Sequence, residues 1–200
     1  KRQVLGQSEF VVDVGVDGAL VAISREGNLL SSAVSIGGVA ILNLISSDII
    51  PGTVDLMVTA FNKNVYESEL TIVSPSGPYL IYSNHSINSS TSNNQFVESM
   101  SSASLSLSVE NVGIESASDI DVTISTNDPY IILSNANTSI DGIEPGQIGQ
   151  TNQPVYFIVN GNAPDNYYAN FTANFYYDNL NWQSNFSVLV HAPNFELDNL

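Results

Sequence analysis

From Phe10 onward, apolar and polar residues alternate with a period of two rather than 3.6, in short runs bounded by Gly, Asn, Asp, Ser or Pro. A period of two puts successive side chains on opposite faces of a strand, so the pattern predicts an all-β chain. In the first half it predicts strands over 9–14, 19–24, 33–36, 39–44, 54–61 and 67–73. Turns are expected at Asp17-Gly18, Glu26-Gly27-Asn28, Gly37-Gly38 and Pro51-Gly52, where Gly or Asn supplies the positive φ that tight turns require. Gly37-Gly38, between two apolar runs, reads as a hairpin. Six or seven such strands suit a two-sheet sandwich.

The alternation is cleaner in the second half. Leu105, Leu107 and Val109 face one way while Ser104, Ser106 and Ser108 face the other, and Ile120, Val122 and Ile124 repeat the scheme against Asp121 and Thr123. Phe171, Ala173 and Phe175 alternate with Asn170, Thr172 and Asn174. Asp178-Asn179-Leu180-Asn181 then turns the chain into Trp182, Phe186, Val188 and Val190, which predicts a long antiparallel hairpin with one apolar face. Further strands are expected over 130–133 and 155–159, with a turn at Ile143-Glu144-Pro145-Gly146. Between the halves, 83–102 is dense in Ser and Asn and reads as a linker or long surface loop, with Ile87 and Phe96-Val97 able to dock on a neighbouring sheet. The expected architecture is therefore two tandem antiparallel immunoglobulin-like β-sandwiches, over 1–83 and 84–200.

Composition narrows the function. The chain holds 20 acidic and 4 basic residues, for a formal net charge of −16. Lys1, Arg2, Arg25 and Lys63 cannot build a groove that neutralises a phosphate backbone, so nucleic-acid binding is not expected, and anionic membrane surfaces are disfavoured for the same reason. No run approaches the roughly 18 consecutive apolar residues of a membrane span. Instead of charge, 28 Ser and 23 Asn supply the solvated faces, residues that favour strands and turns over long helices. With zero cysteines the chain has no disulfide, no Cys nucleophile and no thiolate metal site. Beginning at Lys1-Arg2-Gln3 and ending at Asn199-Leu200, it reads as a processed product or a piece of a larger protein, expected to be monomeric because its charge keeps copies apart.

Certain runs carry a resemblance. Gly18-Ala19-Leu20-Val21-Ala22-Ile23-Ser24, Gly27, Gly38-Val39-Ala40-Ile41-Leu42, the strand from Val54 to Thr59, and Phe61-Asn62-Lys63-Asn64 resemble the immunoglobulin-like domain that follows the catalytic domain of gingipain-type (family C25) cysteine peptidases. The resemblance covers about residues 10–83, including the exit at Pro78-Tyr79-Leu80-Ile81-Tyr82. The second half is similar to bacterial cell-surface β-sandwich modules of the adhesion-related (CARDB-like) type. It shares Leu107-Ser108-Val109-Glu110-Asn111-Val112-Gly113, Ala117-Ser118-Asp119-Ile120, Thr126-Asn127-Asp128-Pro129-Tyr130 and Val190-His191-Ala192-Pro193, of which the Asn-x-Gly is the more specific element. In the peptidase family the Cys and His of catalysis lie upstream. The resemblance thus implies a secreted or cell-surface bacterial parent, with this chain as a non-catalytic spacer and docking region held in cis against the catalytic domain. The alternative is a stand-alone extracellular adhesin or glycan-binding module.

Candidate chemistry within the chain is sparse. His85 and His191 are about a hundred residues apart and no Gly-x-Ser-x-Gly elbow accompanies them, so both read as surface or strand-end residues. No cofactor is required by any motif. For calcium, Asp13-Val14-Gly15-Val16-Asp17-Gly18 fails as an EF-hand because Gly15 occupies the third ligand position and Ser24 stands where Glu should be. Asp13, Asp17, Asp128, Asp141 and Glu144 remain as candidate oxygen ligands in loops, each more often a turn former. Sequons at Asn84, Asn88, Asn137, Asn170 and Asn185 are expected by chance in so Asn-rich a chain. The aromatic groups Tyr167-Tyr168, Phe175-Tyr176-Tyr177 and Trp182 suggest a carbohydrate-stacking platform, against the simpler reading that alternate members face the core.

Overall fold

The computed structural model describes residues 2–4, 9–44, 49–89, 93–94 and 96–192, of which side chains are described from residue 9 onward and not at 93–94. Lys1, Ser90, Thr91, Ser92, Pro193, Asn199 and Leu200, which entered the sequence reading above, lie outside the described residues. The described residues form strands and turns, with no helix long and apolar enough to cross a membrane. The chain divides into two compact units, Lys1–Ser76 and Gly77–Leu200.

The first unit contains β1 (Arg2–Val4), β2 (Glu9–Asp13), β3 (Leu20–Arg25), β4 (Asn28–Val34), β5 (Val39–Asn43), β6 (Gly52–Thr59) and β7 (Tyr66–Val73). They form a five-stranded sheet in the order β1-β7-β6-β3-β4 and a two-stranded sheet β2-β5. Alternation sets the core: Val21 and Ile23 of β3, Val54 and Leu56 of β6, and Leu70 and Ile72 of β7 are buried with Phe10, Ala40 and Leu42. Gly37-Gly38 does close an Ile36–Val39 bridge, with both glycines at positive φ. It does not join two strands of one sheet, however, because β4 and β5 enter different sheets. β4 begins at Asn28, five residues before the strand expected from residue 33, because Leu29, Ser31 and Ser32 pair with β3 without strict apolar alternation.

The second unit contains β8 (Leu80–Ser89), β9 (Asn93–Asn94), β10 (Phe96–Glu98), β11 (Ser102–Asn111), β12 (Ala117–Ser125), β13 (Ile131–Asn135), β14 (Asn137–Ile143), β15 (Ile148–Gln150), β16 (Val155–Val159), β17 (Tyr167–Tyr177) and β18 (Leu180–His191). Its two sheets run β10-β18-β17-β12-β14 and β13-β16-β11-β8-β9, with β15 also on β11. The hairpin of β17 and β18 holds register from Tyr167 opposite Val190 to Tyr177 opposite Leu180. Leu105, Leu107 and Val109 from one sheet and Val122, Phe171, Phe175 and Val188 from the other fill one core. Pairing is antiparallel except at β1 on β7 and β10 on β18, which are parallel.

Most of the described residues of the 83–102 stretch lie in strands rather than in a linker or loop. Its first part belongs to β8, which pairs with β11 from Leu80 opposite Asn111 to Ser89 opposite Ala103, so the compact units divide at Ser76/Gly77 and not at residue 83. Ser and Asn are abundant here because they occupy the outward positions while Leu80, Ile81 and Ile87 are buried. A register shift opposite Ser108/Val109 further masks the alternation. Phe96 and Val97 do join a sheet, as β10, and Ser99 and Ser101 are buried after it, with the Ser101 hydroxyl donating to Glu98 O at 2.6 Å.

Candidate functional site

Three loops meet at one end of the first unit. β3 starts beside the end of β4, with Leu20 opposite Val34, and beside the end of β6, with Leu20 opposite Thr59. β7 starts at the same end, with Tyr66 opposite Val58, and β2 and β5 close it with Asp13 opposite Val39. The loops 14–19, 35–38 and 60–65 therefore share this end. It presents Phe61 at 99% exposure and Ile36 at 83%, with Leu20, Val34, Val65 and Tyr66 all exposed around them.

The first two loops are locked together. Gly38 O accepts from Val14 N at 2.9 Å and Gly15 N at 3.0 Å, while Gly38 N donates to Asp17 Oδ1 at 2.7 Å. The buried Ser35 hydroxyl donates to Val16 O at 2.7 Å and accepts from Ala19 N at 2.9 Å. Gly38 is required here twice over, by its φ of 79° and because a Cβ would lie 3.3 Å from Gly15 Cα. An apolar rim on a hydrogen-bonded base is preorganised for contact, since little loop ordering remains to be done on binding. The expected strands end at Ile36 and Phe61, and the one signal in the sequence is an apolar residue directly before Gly37-Gly38 and before Asn62-Lys63-Asn64.

The candidate calcium ligands are dispersed. Asp13 Oδ1 accepts from Gly15 N at 3.1 Å, and Asp17 holds Gly38. In the second unit Asp128 Oδ1 accepts from Tyr130 N at 3.0 Å, and its Oδ2 accepts from the Tyr167 hydroxyl at 2.8 Å and Asn170 N at 3.3 Å. The bond to Asp128 is the main cause of the raised Tyr167 pKa. Asp141 Oδ1 accepts from Asn152 Nδ2 at 2.7 Å, and the Glu144 carbonyl accepts from Gln147 N at 3.0 Å. Among the described residues no three His, Cys, Asp or Glu side chains converge as a metal site. Because N–H and O–H donors already hold the Asp13, Asp17 and Asp128 loops, the melting temperature is expected to be the same in EDTA and in millimolar calcium; a rise with calcium, measured by differential scanning calorimetry, would show that a cation does part of this work.

Each histidine has a local partner. His191 Nδ1 lies 3.0 Å from Asp165 Oδ1, and its ring meets Phe96 edge-on. The Asp165 pKa is lowered, first by the Ala192 N–H and then by His191. His85 Nδ1 lies 2.6 Å from the Tyr82 hydroxyl, and its ring is tilted 5.4 Å from Phe186. Burial lowers the His85 pKa and raises that of Tyr82, so both are neutral at pH 7. With its folded pKa below its unfolded one, His85 takes up a proton more readily in the unfolded chain, so stability is lost as pH falls below about 6.5. Chemical denaturation at pH 7 and pH 5 is expected to show that loss, and His85→Phe to reduce it.

The aromatic platform divides between two faces. Phe175 and Trp182 are register partners directed inward, where Trp182 meets Tyr79 edge-on at 6.1 Å, whereas Tyr176 and Asn181, one position on, face outward. Tyr167 is likewise directed inward against Tyr130, and Tyr168 outward. A period of two separates neighbours in sequence, so adjacent aromatics cannot share a stacking surface.

Asn111-Val112-Gly113 is the keystone of the second unit. Fully buried Asn111 accepts at Oδ1 from Tyr79 N and Gly113 N, each at 3.0 Å, and donates from Nδ2 to Glu115 O at 2.7 Å and Ile143 O at 3.0 Å. One amide thus ties the entry of β8, the end of β11 and the end of β14 together.

No curated protein matches the chain. Among solved structures, the complex of Porphyromonas gingivalis RgpB pro- and mature domains is 22% identical over 36% of this chain and 17% of its own, with a TM-score of 0.32. Trypsin-activated alpha-2-macroglobulin from Escherichia coli is 14% identical over 85% of this chain and 11% of its own, at 0.46. BcpA, the major pilin subunit of Bacillus cereus, is 10% identical over 96% and 67%, at 0.31. The chain thus spans less than a fifth of the first two. Residues 4–72 match the family described as "Peptidase family C25, C terminal ig-like domain", and these residues fall inside the first compact unit. Over residues 4–72 the first unit of this chain is thus similar to the C-terminal Ig-like domain of the C25 peptidases, a domain that is non-catalytic in that family.

Proposed function

We propose that the chain is the accessory, non-catalytic region of a secreted, gingipain-like bacterial cysteine peptidase, and that its first unit docks in cis on the catalytic domain through the Phe61/Ile36 end. The observation that carries this reading is the set of exposed apolar residues at one end of the first unit, where two of the three loops are hydrogen-bonded to each other, in a unit that matches the C-terminal Ig-like domain of a peptidase family. The second unit follows the first in sequence as a further non-catalytic module of the same region.

The test is calorimetric. The 200-residue chain is titrated against the Cys- and His-bearing domain encoded directly upstream in the full reading frame. Saturable binding is expected, weakened at least tenfold, about 1.4 kcal/mol, in the Phe61→Asp/Ile36→Asp variant, whose own melting temperature is unchanged because both side chains are exposed. An upstream region without such a domain, or binding indifferent to the two substitutions, overturns the reading.

A further inference from the structure

The outward face of the β14-β12-β17-β18 sheet is a field of amides and hydroxyls. Asn137, Thr123, Asn174 and Gln183 form one row across four strands, each in register with the next. Ser125, Thr172 and Asn185 form a second, and Asn170 with Ser187 a third. In a chain of net charge −16, acid stands at the margins of these rows, at Asp121 opposite Ser139 and Tyr176, at Asp141 on the same face of β14 as Ser139, and at Glu98 on β10 opposite His191.

Two tyrosines bound the field along β17. Tyr168 is 60% and Tyr176 42% exposed, and they lie eight residues apart on the same face, about 26 Å along a strand. Between them the amides are oriented by their neighbours. The Thr172 hydroxyl donates to Asn185 Oδ1 at 2.9 Å and the Thr123 hydroxyl to Asn137 Oδ1 at 3.0 Å, which turns each amide NH2 away from its threonine. Three of the five sequons are explained by the same geometry, Asn84 and Asn88 lying on β8 of the other sheet. In a strand the Asn and the hydroxyl residue two positions on share a face, so Asn137/Ser139, Asn170/Thr172 and Asn185/Ser187 are the linear trace of this surface. The other sheet carries shorter rows, Gln150-Ser108-Asn84 and Tyr156-Ser104-Asn88, and these are interrupted by the exposed apolar pair Ile132 and Ile158, which has no counterpart in the rows of the first.

We propose that this face binds an uncharged, extended polysaccharide of the β-1,4-glucan kind. Charge complementarity selects the occupant: the field carries no cation for an anionic polymer, and its acidic margin and the net charge repel one. Sugar hydroxyls both donate and accept, as Asn, Gln, Ser and Thr do, and the C–H faces of sugar rings stack on exposed tyrosines. A flat, ribbon-like chain matches a surface about 26 Å long and four strands wide. This proposal is independent of the docking reading, which concerns the other unit.

Affinity electrophoresis of the whole chain through gels containing hydroxyethylcellulose or, separately, alginate tests it. Retardation by hydroxyethylcellulose and not by alginate is expected, with an apparent affinity at least about tenfold lower in Tyr168→Ala/Tyr176→Ala. The two side chains are exposed, and circular dichroism is expected to show that variant folded. Migration of the native chain unaffected by hydroxyethylcellulose, equal retardation by alginate, or undiminished retardation of the double variant each overturns the proposal.

Discussion

Gly113→Ala is expected to destabilise the second unit by about 3 kcal/mol or more, and urea denaturation followed by tryptophan fluorescence, which reports on Trp182 in this unit, is the measurement. The added Cβ would lie 2.4 Å from Gly77 O, 2.5 Å from Tyr79 N and 2.7 Å from Pro78 C. All three are backbone atoms, so no rotamer change relieves the contact. Nor can the 77–79 segment retreat freely, because Val112 N donates to Tyr79 O at 2.9 Å and Ile114 N to Gly77 O at 3.0 Å. Relief therefore costs these bonds as well as the packing. A variant with unaltered stability would mean that the two segments are not in contact in solution.

Asn111→Ala is expected to be at least as severe, on the order of 4 kcal/mol. It leaves two N–H donors, at Tyr79 and Gly113, and two carbonyl acceptors, at Glu115 and Ile143, without their partner in a fully buried place. Each such group costs roughly 1–3 kcal/mol, and a water filling the vacated space recovers part of the total. Asn111→Asp separates shape from chemistry. It keeps an oxygen toward Tyr79 and Gly113 but turns a second, charged oxygen on two carbonyls, so its penalty is expected to shrink at low pH as the carboxyl protonates. Since Gly113 N bonds the Asn111 side chain, the Gly113→Ala/Asn111→Ala double variant is expected to lose less than the sum of the singles.

The Asn-x-Gly was visible in the sequence as a distinctive element, but its reason was not. Tyr79 and Ile143 lie 32 residues from Asn111 on either side, and nothing in local patterning connects them. The candidate calcium ligands show the reverse. Asp17, Asp128 and Glu144 lie between strands, whereas Asp13 ends β2 and Asp141 lies within β14, and what each carboxylate contacts depends on which segment folds opposite, as Asp17 reaching Gly38 illustrates. Trp182 and Tyr176 looked like one aromatic cluster because they are six residues apart, and the pleat puts them on opposite faces. Ser and Asn between residues 83 and 102 suggested a loop, because their density outweighed the buried Leu80, Ile81 and Ile87 that make β8 a strand.

By itself the sequence determined the all-β class, the β17–β18 hairpin, the inward faces of β11 and β12, and the absence of cysteine chemistry and of a basic surface. These follow from alternation and composition, which are local or additive properties of the chain. Only the tertiary structure decided the sheet order, the parallel pairings of β1 and β10, the meeting of three loops beneath Phe61 and Ile36, and the alignment of amides from four strands into rows. A period of two fixes which face a side chain takes, whereas the strand lying beside it is chosen by packing between segments far apart in sequence.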